Sequence, residues 1–139
     1  MIVIGPVVSM QREFLEQVTR WAEKDPNVLA LGLVGSYARG TAAPSSDIDL
    51  VIITSDPELY LYRVDWLSLF GTAERQQVED YGKLVSLRAW YRDGKEMEFG
   101  FTTPAWCAEP LDEGTRQVVS GGLLVLYERE PLLSPLLAG

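Results

Sequence analysis

The chain has 139 residues, which fits one domain, and its 47% apolar and 23% charged residues are ordinary for a globular protein. Its net charge of −8 argues against nonspecific binding to DNA or RNA, which requires a basic surface. One cysteine and no histidine exclude an intrachain disulfide, the usual zinc sites and catalysis by a Ser-His-Asp or Cys-His set.

The same composition gives no indication of a membrane segment. No apolar run approaches the roughly 18 residues that a transmembrane helix needs. The apolar start, from Met1 to Pro6, lacks the basic segment of a signal peptide. We therefore expect no membrane partner. The acidic charge leads us to expect no nucleic-acid partner, and the single cysteine, Cys107, indicates a cytoplasmic location.

The first part of the chain predicts one helix and two strands. Apolar residues recur at helical spacing over residues 10–24, with Ser9 as a candidate cap. Val28–Val34 is short and mostly apolar, as in a strand that is buried on both faces. A loop rich in Gly, Ala, Pro and Ser follows, and residues 48–53 predict the second strand.

The middle of the chain predicts a second helix and a β-hairpin. Residues 57–70 form the predicted helix, which Gly71 ends. Residues 72–82 are polar and carry little signal, so we predict a loop there. Residues 84–101 predict a hairpin around the Asp93-Gly94 dipeptide, the preferred two-residue turn.

The predicted hairpin carries an acidic stripe. With a two-residue turn at Asp93-Gly94, Ala89 pairs with Glu98. Because strand side chains alternate, Glu96 and Glu98 then share one face and apolar residues occupy the other.

The last part of the chain predicts short elements. A helix is expected over residues 116–120, capped by Asp112 or Thr115, and a strand over residues 123–127. Residues 131–139 form an apolar tail that we predict to be irregular.

Two carboxylates flank the start of the second strand. Asp47 and Asp49 project from the same face because strand side chains alternate. Two ionised carboxylates side by side repel each other unless a cation lies between them, and oxygen ligands suit Mg²⁺. The preceding Gly35-Ser36 offers backbone N–H groups and a hydroxyl to a phosphate. Metal and phosphate side by side indicate nucleotide chemistry.

This arrangement resembles a known signature. The pattern Gly35-Ser36, ten residues, Asp47-x-Asp49 is similar to that of the DNA polymerase beta-type nucleotidyltransferase superfamily. The similarity is strong to its small prokaryotic branch, the minimal nucleotidyltransferases, whose motif G-S-x-A-x-G-x-A-x-x-x-S-D-I-D-L is matched from Gly35 to Leu50. The resemblance implies an α/β (α+β) fold with a mixed sheet and helices packed on one side. It implies one nucleotidyltransferase domain over residues 1–139, with no C-terminal helical domain.

The resemblance also implies a site for two Mg²⁺ ions and a third carboxylate from a neighbouring strand. We favour Glu98, which lies deeper in its strand, and keep Glu96 as the alternative. The family more often has Asp at this place. The implied catalytic and metal ligands are Asp47, Asp49 and Glu98, and the implied contacts to ATP or another nucleoside triphosphate are Gly35, Ser36 and Arg39.

The implied reaction transfers a nucleoside monophosphate, AMP from ATP, to a hydroxyl on a small molecule or a protein and releases pyrophosphate. A homodimer or a helical partner protein is expected to complete the acceptor site. A hypothesis of another class is a protein-binding module, such as the antitoxin of a toxin–antitoxin pair, with or without adenylylation of its partner. A degenerate nucleotide sensor is a third alternative.

Overall fold

Six strands, four α-helices and three short 3₁₀ helices make up the part of the chain that the computed structural model describes, residues 9–43 and 46–137. The strands are β1 (Val28–Val34), β2 (Ile48–Thr54), β3 (Ala73–Asp80), β4 (Leu84–Tyr91), β5 (Glu96–Thr102) and β6 (Leu123–Glu128). The α-helices are α1 (Ser9–Lys24), α2 (Gly35–Arg39), α3 (Glu58–Tyr62) and α4 (Glu113–Ser120). The 3₁₀ helices cover Asp65–Phe70, Pro104–Cys107 and Ser134–Leu137.

The strands form one mixed sheet in the order β3-β4-β5-β2-β1-β6. β2 and β5 run parallel, and every other neighbouring pair is antiparallel. The parallel pair places Asp49 opposite Glu98. The predicted mixed sheet and fold class are confirmed.

The two faces of the sheet pack against different helices. One face carries Ile48, Leu50 and Phe99, which join the large core beneath α1 and the 3₁₀ helix Asp65–Phe70. The other face carries Val51 and Ile53, which pack with Trp106, Leu133 and residues of α4. The helices therefore cover both faces, and the expectation of one-sided packing describes α1 but not α4. No helix in the described ranges is long and apolar enough to cross a bilayer.

The predicted helix over residues 57–70 is wrong as a single element. α3 ends at Tyr62, and Arg63 has an extended backbone (φ −118°, ψ 110°) before the 3₁₀ helix begins. The indole N–H of Trp66 donates to the Tyr60 carbonyl at 2.9 Å. The break turns Trp66 into the core, where its ring stacks on Trp21 at 5.8 Å.

The predicted loop over residues 72–82 is also wrong, because most of it is strand β3. This strand lies at an edge of the sheet and is exposed along nearly its whole length. An edge strand without a buried face shows no alternation of apolar residues, and its charged side chains are typical of protected edges. The sequence pattern therefore gave no strand signal.

The hairpin is present, but its predicted register is wrong by one residue. The Tyr91 N–H donates to the Lys95 carbonyl at 3.0 Å, which closes a three-residue loop rather than a two-residue turn. Gly94, at φ +98°, occupies the left-handed position that such loops require. As a result Arg88, not Ala89, lies opposite Glu98.

The remaining elements follow the predictions closely, except that α4 begins three residues before the predicted start at residue 116. The predicted helix over residues 10–24, the strand Val28–Val34 and the last strand are confirmed within a residue. Of the two candidate caps for α4, the structure selects Asp112, whose carboxylate accepts the Thr115 N–H at 2.8 Å. The tail is not wholly irregular, since it contains a 3₁₀ helix, and its last two residues lie outside the described ranges.

Candidate active site

Three carboxylates meet at the junction of the parallel strands β2 and β5. One oxygen from each of Asp47, Asp49 and Glu98 lies within 4.8 Å of the other two. The register explains this geometry, because Asp49 is paired with Glu98, and Asp47, immediately before β2, lies two residues from Asp49 on the same side of the chain. Glu96 does not belong to this group; we refer to Asp47, Asp49 and Glu98 as the acidic triad.

Asp49 lies at the centre of the acidic triad in an unfavourable environment for a charge. Burial raises its pKa to about 9, with further contributions from the neighbouring Glu98 and Asp47 carboxylates. Its Oδ1 atom is buried and has no hydrogen-bond partner among the described residues. The protonated form of Asp49 is therefore favoured when no cation is present.

The turn after β1 brings backbone close to the acidic triad. Gly35 has φ +74°, and a Cβ atom built there would collide with the Asp49 carboxylate. Glycine is therefore required at residue 35 for both conformation and space. The predicted loop after Gly35 is wrong at its start, because α2 (Gly35–Arg39) makes one helical turn before Gly40. Pro44 and Ser45, within the same motif, lie outside the described residues.

The other two predicted phosphate contacts lie on α2. Ser36 is in the first turn, where its carbonyl accepts the Thr41 N–H at 3.0 Å. Arg39 is at the end of α2, and its Nη1 donates to the Gly121 carbonyl at 3.2 Å. Arg39 thereby joins the motif helix to the turn that follows α4.

A pocket of about 620 Å³ opens beside the acidic triad. Gly35, Arg39, Asp49 and Glu98 are among its lining residues. Trp106 and the first turn of α4 also line it. The volume is typical of small-molecule sites, which span about 300–1,000 Å³. Two of the predicted phosphate contacts, Gly35 and Arg39, and two of the triad acids, Asp49 and Glu98, therefore face one common space, whereas Ser36 and Asp47 do not line it.

Arg88 is the site residue that the sequence analysis missed. Its guanidinium lies among four carboxylates: Asp47 at 3.0 Å, Glu98 at 3.0 Å, Glu79 at 3.1 Å and Glu96 at 2.6 Å. Burial opposes its charge, but the four acids outweigh burial and raise the pKa of Arg88. A three-residue hairpin loop that ends at Gly94 would have predicted this position, because such a loop places Arg88 opposite Glu98.

The residues at this site fit a divalent cation. Three carboxylates at close range repel one another, and the buried Asp49 oxygen has no partner within the described residues. A divalent cation would satisfy that oxygen and remove the repulsion, and carboxylate oxygens suit Mg²⁺. Arg88 balances only part of the negative charge, since it contacts Asp47 and Glu98 but not Asp49.

Comparison with known proteins agrees with this geometry. Residues 15–101 match the family model of the nucleotidyltransferase domain. An aminoglycoside 6-adenyltransferase from Bacillus subtilis has a similar fold, with a TM-score of 0.58 and 16% identity over 85% of this chain and 41% of that one. The polymerase core of TRAMP, an RNA surveillance complex, gives a TM-score of 0.51 and 20% identity over 70% of this chain and 33% of that one.

The solved structures and the family model support different conclusions, because they cover different shares of the proteins compared. The chain spans less than half the length of either solved structure, and their low identities establish the fold alone. The comparison with curated proteins found no match. The family model, in contrast, covers more than half of the chain and includes β1, the motif, the acidic triad and Arg88. The predicted membership of a nucleotidyltransferase family is thereby confirmed: the chain belongs to the nucleotidyltransferase domain family.

Proposed function

We propose that this protein is a metal-dependent nucleotidyltransferase that moves AMP from ATP to a hydroxyl on a small molecule or a protein. The observation that carries the proposal is the convergence of Asp47, Asp49 and Glu98 within 4.8 Å, beside a 620 Å³ pocket. In the reaction, the acceptor oxygen forms a bond to the α-phosphorus of ATP. The bond between the α-phosphorus and the oxygen that joins it to the β-phosphorus breaks. Pyrophosphate leaves with the electron pair, and the acceptor releases its proton.

The acidic triad has a defined part in this scheme. Asp47, Asp49 and Glu98 would hold Mg²⁺, which when bound neutralises phosphate charge and lowers the pKa of the acceptor hydroxyl. Asp49 must lose its proton before it can serve as a ligand, because its pKa is raised to about 9 without a cation. Binding of Mg²⁺ is therefore expected to release a proton at neutral pH.

The neighbouring groups would bind the triphosphate. Gly35 lets the backbone approach Asp49 closely, which leaves room for a phosphate beside the acids. Ser36 is proposed to donate its hydroxyl to a phosphate oxygen. Arg39 lines the same pocket and would offset charge on the departing pyrophosphate.

A transfer assay tests the proposal. The protein is incubated with Mg²⁺ and ATP labelled at the α-phosphorus, with a panel of small hydroxyl acceptors and with a helical partner protein if one co-purifies. We expect label to pass to one acceptor, and the double change Asp47→Asn plus Asp49→Asn to abolish transfer while the circular dichroism spectrum stays unchanged. Asp65→Asn is the matched control, since this exposed acid lies outside the acidic triad.

The assay also separates the competing hypotheses. Transfer that survives the double change would refute the proposed site. A protein that binds a partner without transferring label would instead favour the antitoxin-type binding module. Nucleotide binding without turnover or partner would favour a sensor.

A further inference from the structure

The guanidinium of Arg88 divides its contacts evenly between the acidic triad and two other acids. Nη1 contacts Asp47 at 3.0 Å and Glu96 at 2.6 Å. Nη2 contacts Glu98 at 3.0 Å and Glu79 at 3.1 Å. Each terminal nitrogen thus joins one triad carboxylate to one carboxylate outside the triad.

The sheet fixes Arg88 in this position. It lies on β4, between β3 and β5, where it is paired with Gln77 on one side and Glu98 on the other. Its side chain is only 18% exposed. An arginine does not lose its charge in proteins, so Arg88 cannot release these acids by titration.

Arg88 and a divalent cation would therefore compete for the same carboxylates. Both require the charged carboxylates of Asp47 and Glu98, which face the triad centre. Glu79 and Glu96 give Arg88 two further partners that a cation in the triad does not need. The guanidinium can thus give up the triad acids and still keep two ion pairs.

We propose that Arg88 is a positioning residue that pairs with Asp47 and Glu98 in the metal-free protein and releases them, while it keeps Glu79 and Glu96, when a divalent cation binds. The inference rests on the proposed metal site. It predicts that Arg88 weakens metal binding while it keeps the metal-free acids ordered. The two outer acids strengthen metal binding, because they draw Arg88 away from the triad.

Isothermal titration calorimetry with Mg²⁺ and Mn²⁺, without nucleotide, tests this exchange. We expect Arg88→Gln to bind metal about tenfold more tightly than the wild type, since a competing cation is removed. Arg75→Gln is the matched control: Arg75 lies over the Trp90 ring at 4.4 Å, and no ion pair joins it to the triad among the described residues. We expect this control to change the affinity by less than about twofold.

A double-mutant cycle separates exchange from a general effect of charge. Glu79→Gln plus Glu96→Gln should weaken metal binding about three- to tenfold in the wild type, because Arg88 is then left with the triad acids alone. In the Arg88→Gln background the same pair of changes should have little effect. Equal effects in both backgrounds would overturn the exchange.

A second variant covers the possibility that Arg88→Gln does not fold. Arg88→Lys keeps the charge but has one nitrogen, which cannot bridge both pairs of acids at once. We expect Arg88→Lys to have a metal affinity between those of the wild type and the Arg88→Gln protein, or simply above the wild type if Arg88→Gln is unfolded. Unchanged or weaker binding in the folded Arg88 variants would overturn the inference, whereas absence of binding in the wild type would overturn the proposed function instead.

Discussion

Strands β2 and β5 place apolar residues on one face and Asp49 and Glu98 at the start of the other, which we call the acidic face although Val51 and Ile53 follow on it. On the apolar face, Ile48 and Phe99 are almost completely buried in the large core. On the other face, Asp49 is half-buried, and its buried Oδ1 atom has no hydrogen-bond partner among the described residues. The apolar face is satisfied by packing alone, whereas the acidic face is complete only with a cation.

Alternate residues of the same strand therefore have separate tasks, stability on one face and activity on the other. Changes on the apolar face should reduce stability, and changes on the acidic face should reduce activity. Functional sites commonly retain unfavourable interactions that the rest of the fold compensates. Substitutions on each face therefore test whether the two tasks are separable.

The largest expected effect comes from Asp49→Asn. Loss of the central ligand should reduce nucleotidyl transfer about 10³-fold or more, because bound metal contributes several kcal/mol to such reactions. The free energy of unfolding should stay the same or rise, since the variant removes a buried group that is costly to ionise. Steady-state transfer and chemical denaturation, measured on the same preparation, check both parts. A variant that loses activity only because it unfolds would contradict the separation of tasks.

Phe99→Ala should give the opposite result. Phe99 is fully buried, and its ring centroid lies 4.8 Å from that of Trp66 and 6.0 Å from that of Phe70. The cavity should lower the free energy of unfolding by about 3–5 kcal/mol. Chemical denaturation measures the loss, with Leu69→Ala as the control because Leu69 is 61% exposed. Equal losses in the two variants would contradict the assigned core.

The pH dependence of the free energy of unfolding should report the protonation of Asp49. Its pKa is about 9 in the metal-free fold, against an ordinary value of 3.8 in the unfolded chain. Between about pH 5 and pH 9 the folded state then binds more protons, so its stability falls as pH rises. Metal binds the deprotonated form, so the stabilisation by Mg²⁺ should grow over the same range.

Thermal unfolding across this range, with and without Mg²⁺, measures both trends. Asp49→Asn should remove the decline of the metal-free protein. A metal-free protein whose stability is flat from about pH 5 to pH 9, or rises, would show that Asp49 is ionised without a cation.

The smallest expected effect separates the two candidates for the third carboxylate. Glu98→Gln should lower transfer about 10²-fold at saturating Mg²⁺, because Glu98 is a member of the triad. Glu96→Gln should change it by less than about threefold, since Glu96 contacts Arg88 and is partly exposed. Initial rates at saturating metal measure both, and the reverse order would identify Glu96 as the ligand.

The sequence predicted the parts of the molecule that follow from alternation and from the motif. The strands before and after the motif, the helix over residues 10–24 and the shared face of Asp47 and Asp49 were all foreseeable. The resemblance then implied a third acid, and the parallel register between β2 and β5 brings Glu98 to the place expected of it.

The missed features depend on tertiary context or on a single turn residue. β3 has no buried face, so its sequence carries no periodic signal. The break in the predicted helix depends on Trp66 reaching the core, which the spacing of apolar residues does not reveal. Arg88 was missed because the Asp93-Gly94 pair favours a two-residue turn, whereas Gly94 closes a longer loop and moves the register by one residue.

The most direct test of the metal site is anomalous diffraction from crystals grown with Mn²⁺. We expect an anomalous peak bounded by the carboxylates of Asp47, Asp49 and Glu98, and its loss in Asp49→Asn crystals grown under the same conditions. Crystals of the wild type with the three carboxylates in place and no peak between them at saturating Mn²⁺ would contradict the account.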